Sequence, residues 1–243
     1  VRGLRAALSY FTILPVGASA APDAAALAWL PFVGALTGAI AGAAAYGVAL
    51  RAPHALAVAT AFGLSIVLTG AIHLDGFLDG CDAFFASTTP ERRLEILKDP
   101  RHGTFALAGF GVLAVLWLAA LWSLPAAFLP LALAFAAAAA RWSAIVHALW
   151  IPYGRSGAPP RAFEARLPAV GMLLGLALVV ALAFALDTAG LRSLAVAFAL
   201  GGICVLWIRG RLGGGLVGDA YGFTIVVAET GALVAIAIGF ATR

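Results

Sequence analysis

Residues 73–104 read HLDGFLDGCDAFFASTTPERRLEILKDPRHGT, a polar island between two long apolar runs. The island holds Asp75, Asp79, Asp82, Glu91, Glu95 and Asp99, six of the eleven acidic residues in about an eighth of the chain. Around it, the 243 residues are 63% hydrophobic and 11% charged, with a mean hydropathy of +1.05. Soluble domains carry about 25% charged residues. This composition excludes an ordinary soluble globular domain and predicts an all-α, polytopic integral membrane helical bundle. Crossing a hydrocarbon core of about 30 Å takes roughly 20 apolar residues in helix. Seven runs qualify as transmembrane helices, at about 28–50, 54–73, 105–123, 126–149, 168–186, 191–208 and 223–241. We read residues 1–243 as a single membrane-embedded domain, with its chemistry in two segments at 73–104 and 209–222.

The fifteen Lys and Arg set the orientation. With the N-terminus cytoplasmic, the inside segments hold eleven of them and the outside segments only Arg51, Arg192 and Arg243, as the positive-inside bias requires. The net charge of +4 is therefore a matter of topology and gives no reason to expect nucleic acid as a partner. The expected location is the cell inner membrane, multi-pass, with the polar island on the cytoplasmic face. The lipid bilayer is the one partner composition implies, and a homo-oligomer stays open. Cys81 and Cys204 lack metal-like spacing, so each is expected to be a small buried thiol. The basic, apolar opening VRGLRAALSYFTILPVG is read as an interfacial helix; it lacks a convincing cleavage site.

Within the spans, Gly34, Gly38 and Gly42 recur every four residues and leave a smooth helix stripe for close packing. Arg141 and Glu229 are ionisable residues inside spans, where an unpaired charge costs about 2.5–3.5 kcal/mol on insertion scales. For Arg141 a structural ion pair and contact with an anionic substrate are both open. The loop IPYGRSGAPPRAFEAR, 151–166, is read as a topogenic cytoplasmic loop. Between the last two spans, RGRLGGGLVGDAYGF (209–223) is glycine-rich and carries Asp219. No Gly-Lys-Ser/Thr follows, so it is not a Walker loop.

If the second span continues as helix through Phe85, then Asp75, Asp79 and Asp82 stand at i, i+4 and i+7 on one face. Three like charges this close disfavour one another's ionisation unless something positive lies among them. Mg²⁺ fits, since it takes oxygen ligands and completes its shell with water and phosphate. Gly76 and Gly80 flank the stripe and are expected to keep the approach open. Thr89-Pro90-Glu91 reads as a helix start and Pro100 as its stop. Glu91, Arg92 and Arg93 read as charge pairs of a surface helix. Lys98 and Arg101 beside the acids are what a diphosphate substrate needs.

The motifs HLDGFLDGCDAFF, RRLEILKDPRHGTFAL and LGGGLVGDAYGF, with LRAALSYFTILPV and LPFVGALTGAIAG before them, resemble the cobalamin synthase (adenosylcobinamide-GDP ribazoletransferase) family over nearly the whole chain. The resemblance implies an Mg²⁺-dependent membrane transferase that joins adenosylcobinamide-GDP to α-ribazole, or its 5′-phosphate, and releases GMP. It implies catalytic roles for Asp75, Asp79, Asp82 and Asp219, with Asp75, Asp79 and Asp82 also holding the metal. His73, Lys98, Arg101, Gly214 and Gly218 would bind substrate; Asp99 and Gly103 also match the motifs. Ile13 and Pro100 depart from the family pattern, which has a basic and a small polar residue there.

A CDP-alcohol phosphotransferase would also use membrane carboxylates and a metal, but it needs Ala-Arg soon after Asp-Gly, and here Phe77-Leu78 follows Asp75-Gly76. A cation transporter would place acids at mid-membrane in two repeat halves. No internal repeat is visible in the sequence, and Glu229 is that reading's best support. The orientation has a direct check. In Thr188→Cys and Thr88→Cys variants, an impermeant thiol reagent applied to intact cells is expected to label position 188 and spare position 88. Labelling at 88 would reverse the topology.

Overall fold

The computed structural model describes residues 2–17, 23–151 and 168–242. Among them are eleven α-helices, one 3-10 turn and no β-strand. In chain order the helices are α1 (Arg2–Phe11), α2 (Ala24–Leu27), α3 (Leu30–Ala49), α4 (His54–Leu68), α5 (Ile72–Phe85), α6 (Pro90–Ile96), α7 (Thr104–Trp122), α8 (Leu129–Ala148), α9 (Ala169–Ala185), α10 (Asp187–Arg211) and α11 (Gly218–Ala241). A helix lies on each of the seven apolar runs. By length and composition five can cross a membrane: α3, α7, α8 with the turn before it, α10 and α11. The pair α4 and α5 makes a sixth only across an 88° bend, and α9 has 17 residues. Among the described residues five or six helices thus pass by length, and α9 is a shorter apolar helix on the remaining run. Leu107, Val115, Leu173 and Leu206 are exposed on the outside of the bundle, which suits hydrocarbon rather than water.

α8 is the central helix. Residues 132–141 are all buried, most of them with no exposure at all. Seven of these ten are alanine, and only such small side chains let neighbours approach a helix from every side. The glycine stripe of α3 packs here as its spacing predicts. A Cβ on Gly34 would stand 2.7 Å from the Ala137 carbonyl oxygen, and one on Gly38 or Gly42 would run into the backbone of Leu133 or Leu129 and Pro130.

Arg141 of α8 donates from Nη1 to Glu229 Oε2 of α11 at 3.1 Å and to the Ala137 carbonyl at 2.9 Å. The two intramembrane charges are each other's partner, which settles Arg141 as part of a structural ion pair. Because α11 begins at Gly218, Glu229 lies three turns into its helix.

The second span does not run on to Phe85 as one helix. α4 closes with the Gly70 amide on the Val67 carbonyl (2.9 Å) and the Ala71 amide on the Ile66 carbonyl (3.0 Å), the paired bonds of a glycine-terminated helix end. Gly70 and Ala71 both have φ of 58°, and two left-handed residues in succession turn the chain through the 88° elbow. From outside, the Ile13 amide donates to the Leu68 carbonyl at 3.0 Å, satisfying one of the carbonyls that a helix end leaves open.

Left-handed geometry costs an alanine roughly 1 kcal/mol more than a glycine. Ala71→Gly is therefore expected to leave stability unchanged or raise it by up to ~1 kcal/mol, whereas Gly38→Ala should lower it through the Leu133 clash. Thermal unfolding in detergent compares the two, and an Ala71→Gly loss as large as that of Gly38→Ala would contradict the elbow geometry.

Candidate active site

α5 carries the acids on its outer side and buries His73, Gly76, Phe77, Gly80, Cys81, Ala83 and Phe84 on the other. Its crossing with α11 is glycine on glycine: a Cβ on Gly76 would lie 3.2 Å from the Gly222 Cα and 3.1 Å from the Asp219 carbonyl oxygen. Gly80 lies under Phe223 and Phe84. The two glycines therefore do not hold an approach open, as their spacing suggested; they let two helices touch. That contact joins the two polar segments. It brings Asp219, in the first turn of α11 and not in a loop, close enough that its charge and that of Asp75 both act on Asp79.

Asp75, Asp79 and His102 form a cluster in which one donor atom from each lies within 4.8 Å of the others. His102 Nδ1 stands 3.5 Å from Asp79 Oδ1. Asp82 is not in the cluster. Its Oδ2 accepts from the Gly103 amide and its Oδ1 accepts from the Ala106 amide at 3.0 Å. It caps α7 from across the chain, as an N-cap side chain would, and its charge faces the positive end of that helix. Of the three aspartates expected to act together, the structure groups Asp75 and Asp79 with His102 and gives Asp82 backbone amides as partners. Asp82 is seven residues from Asp75, and the start of α7 packs against that end of α5 and claims its oxygens.

The basic residues divide. Arg92 pairs with Glu95, both exposed, and Thr89 caps α6 as expected, accepting from the Arg92 amide at 3.3 Å. α6 ends at Ile96, before Pro100. Arg93 departs from the surface-pair reading: it is buried, donating to the Arg211 carbonyl at 3.1 Å and the Ala86 carbonyl at 2.9 Å. These carbonyls end α10 and α5, so one guanidinium serves two helix C-termini. Lys98 is exposed. Arg101 is 85% exposed and forks onto Asp99 through Nε (2.9 Å) and Nη2 (2.8 Å), which holds the Asp99 carboxyl down at about 2.

Gly213 and Gly214 have φ of 75° and 121°, and none of the described residues lies within 4 Å of where a Cβ would sit on Gly214 or Gly218. His73 points away from the acids into the bundle, where its ring stacks on Phe11 with centroids 6.0 Å apart. All but the first residue of loop 151–166 lie outside the described residues.

His102 and Arg93 were not assigned roles at the site from sequence. A histidine two residues before the apolar run of α7, at the same membrane face as the acids, was the available signal for the first. For Arg93 there was none, since its partners are main-chain carbonyls.

Residues 3–237 match the model of the family described as cobalamin-5-phosphate synthase. The chain is 40% identical over 240 residues to the adenosylcobinamide-GDP ribazoletransferase of Deinococcus radiodurans, covering 94% of this chain and 82% of that one. It is 35% identical over 251 residues to the enzyme of the same name from Pseudomonas paraeruginosa, covering 98% of each. For that of Desulforamulus reducens identity is 30% over 240 residues, with 97% and 96% covered. No solved structure matches the chain.

Capping and clustering make opposite demands on the aspartates. Asp82→Asn should cost about 1–2 kcal/mol of stability, the scale of a lost helix cap, because an amide nitrogen cannot accept from a backbone N–H. Asp75→Asn, at an exposed position among like charges, should cost nothing. Unfolding of the two variants in detergent measures the difference, and equal losses would remove the capping role of Asp82.

Proposed function

Because the chain belongs to the cobalamin-5-phosphate synthase family, and is thereby a membrane transferase of cobalamin assembly, we propose that it joins adenosylcobinamide-GDP to α-ribazole or its 5′-phosphate and releases GMP. The donor substrate is the one named in its relatives. The observation that carries the reading is the meeting of the two polar segments at Gly76 and Asp219, with Asp75 and Asp79 of α5 clustered with His102 from the turn before α7. The full-length match leaves the phosphotransferase and transporter alternatives unfavoured.

Two carboxylates with donor atoms within 4.8 Å suit a hard divalent cation. Asp75 and Asp79 would hold Mg²⁺, which would offset the charge of a bound diphosphate. His102, against Asp79, would orient that carboxylate. Lys98 would bind phosphate oxygens, and Arg101 would do so by exchanging Asp99 for phosphate. Asp82 serves the reaction indirectly by fixing the start of α7, and with it His102, against α5. An alcohol oxygen of the ribazole bonds to the cobinamide-side phosphorus, the bridging P–O bond breaks, and GMP leaves with the electron pair. Asp219 takes the hydroxyl proton. The open faces of Gly214 and Gly218 leave room for substrate beside it. The charge asymmetry supports a cytoplasmic face for this site, and the membrane would be the cell inner membrane.

Purified protein is expected to release GMP from adenosylcobinamide-GDP only with α-ribazole (or its phosphate) and Mg²⁺ together; absence of GMP under all conditions would overturn the reading. Gly218→Ala isolates the substrate-facing role. At the first position of α11 with nothing near its Cβ, alanine should leave stability unchanged or raise it by up to ~1 kcal/mol. Turnover is nonetheless expected to fall, about tenfold if the new methyl displaces substrate by an ångström or so. Unchanged turnover would take Gly218 out of the substrate site.

A further inference from the structure

Arg93 of α6 is a buried cation whose two terminal nitrogens are both committed to main chain. Nη1 donates to the Arg211 carbonyl at 3.1 Å and Nη2 to the Ala86 carbonyl at 2.9 Å, and the residue is 5% exposed. Among the described residues no carboxylate pairs with it, and its Nε is buried without a partner. A charge withdrawn from water without a counter-ion is costly if it only fills space. What the guanidinium adds is geometry, since its planar fork holds two acceptors at a set separation.

Those two acceptors are the points where the polar segments leave their helices. Ala86 is the first residue past α5, the helix of the acids, and Arg211 is the last of α10. From Arg211 the chain runs through residues 212–217 into α11 and Asp219. The middle of this connection, Gly213 to Gly215, has no side chain to pack, and its first two residues lie at positive φ. The far end is fixed to α5 by the contact of Gly222 on Gly76. The near end is fixed to α5 by Arg93. α6 also lies alongside the connection, for a Cβ on Gly213 would stand 3.6 Å from the Cβ of Pro90, the first residue of α6.

We propose that Arg93 is a positioning residue: by clamping the end of α10 to the end of α5, it holds the glycine-rich connection in register with the helix that carries Asp75 and Asp79. The clamp belongs to the fold, while its effect on turnover rests on the reaction proposed above, in which Gly214 leaves room for substrate beside Asp219. Arg93 is buried and touches no reacting atom. It acts through the connection, by deciding where substrate lies relative to the acids. A displacement of about 1 Å costs up to about a hundredfold in rate, and loss of one of two anchors is expected to cost about tenfold.

Two measurements on the full chain in detergent separate a clamp from mere packing. Arg93→Met keeps an unbranched stem and removes both bonds. Spin labels on Ser87→Cys and Gly210→Cys, both exposed and each next in sequence to an anchored carbonyl, leave Cys81 and Cys204 unlabelled because these are buried. The label pair should give a narrow distance distribution with Arg93 in place and a broader one with Arg93→Met. With both substrates saturating, at a temperature where the variant is fully folded, kcat should fall about tenfold. An Arg93 that serves stability alone would lower the melting temperature and leave kcat of the folded protein as it was. An unchanged distance distribution overturns the clamp, and a kcat within about twofold of wild type overturns the positioning role. Should wild-type protein release no GMP under any condition, the proposed reaction fails and the label distances still decide the clamp. Where Arg93→Met does not fold, Arg93→Gln, whose one amide serves a single carbonyl, carries both measurements. Failure of both variants to fold makes Arg93 a folding residue and overturns the proposal.

Discussion

The contact of Gly76 on Gly222 is the constraint on which the site depends. Two helices can lie with their Cα atoms this close only where neither carries a side chain, and here both positions are glycine. From that crossing follow the placement of Asp219 beside the acids of α5, the burial of Phe77, Cys81 and Phe84 against α7, α10 and α11, and the exposure of Asp75 on the opposite side. A larger residue at either point would push α11 away and separate two polar segments that lie more than a hundred residues apart in the chain.

Around this crossing each inward-facing charge has been given a different partner. Arg141 meets Glu229, Arg93 meets the carbonyl ends of two helices, and Asp82 meets the amides at the start of a third. None of these pairings joins neighbours in sequence; the first ties one span to another, and the other two tie a polar segment to the bundle. Breaking a buried pair by deleting one member costs about 3–5 kcal/mol because the other is left uncompensated. Among the described residues Asp75 and Asp79 carry no such bond to the bundle, and Asp79 faces His102 Nδ1 at 3.5 Å.

Much of this was legible in the sequence, for identifiable reasons. Apolar runs separated by polar segments locate helices whatever their packing, and the four-residue glycine spacing in α3 marks the face on which another helix packs closely. Thr89-Pro90 marked the start of α6. The elbow was missed although Gly70 signals it, because the apolar pattern runs through the turn without a break. The acidic stripe on α5 was read correctly as a stripe, yet the stripe does not tell which of its members an adjoining helix will claim.

What the sequence by itself determined is the solvent each segment requires and the face each acid occupies on its own helix, because hydropathy and the 3.6-residue repeat are local properties. The tertiary structure alone decided partnership: that Asp82 caps α7 while His102 joins Asp75 and Asp79, that Arg141 finds Glu229, and that His73 turns inward. The physical reason is that a buried polar group must be satisfied by whatever the packing brings within about 3 Å, and in this bundle packing brings together residues from opposite ends of the chain.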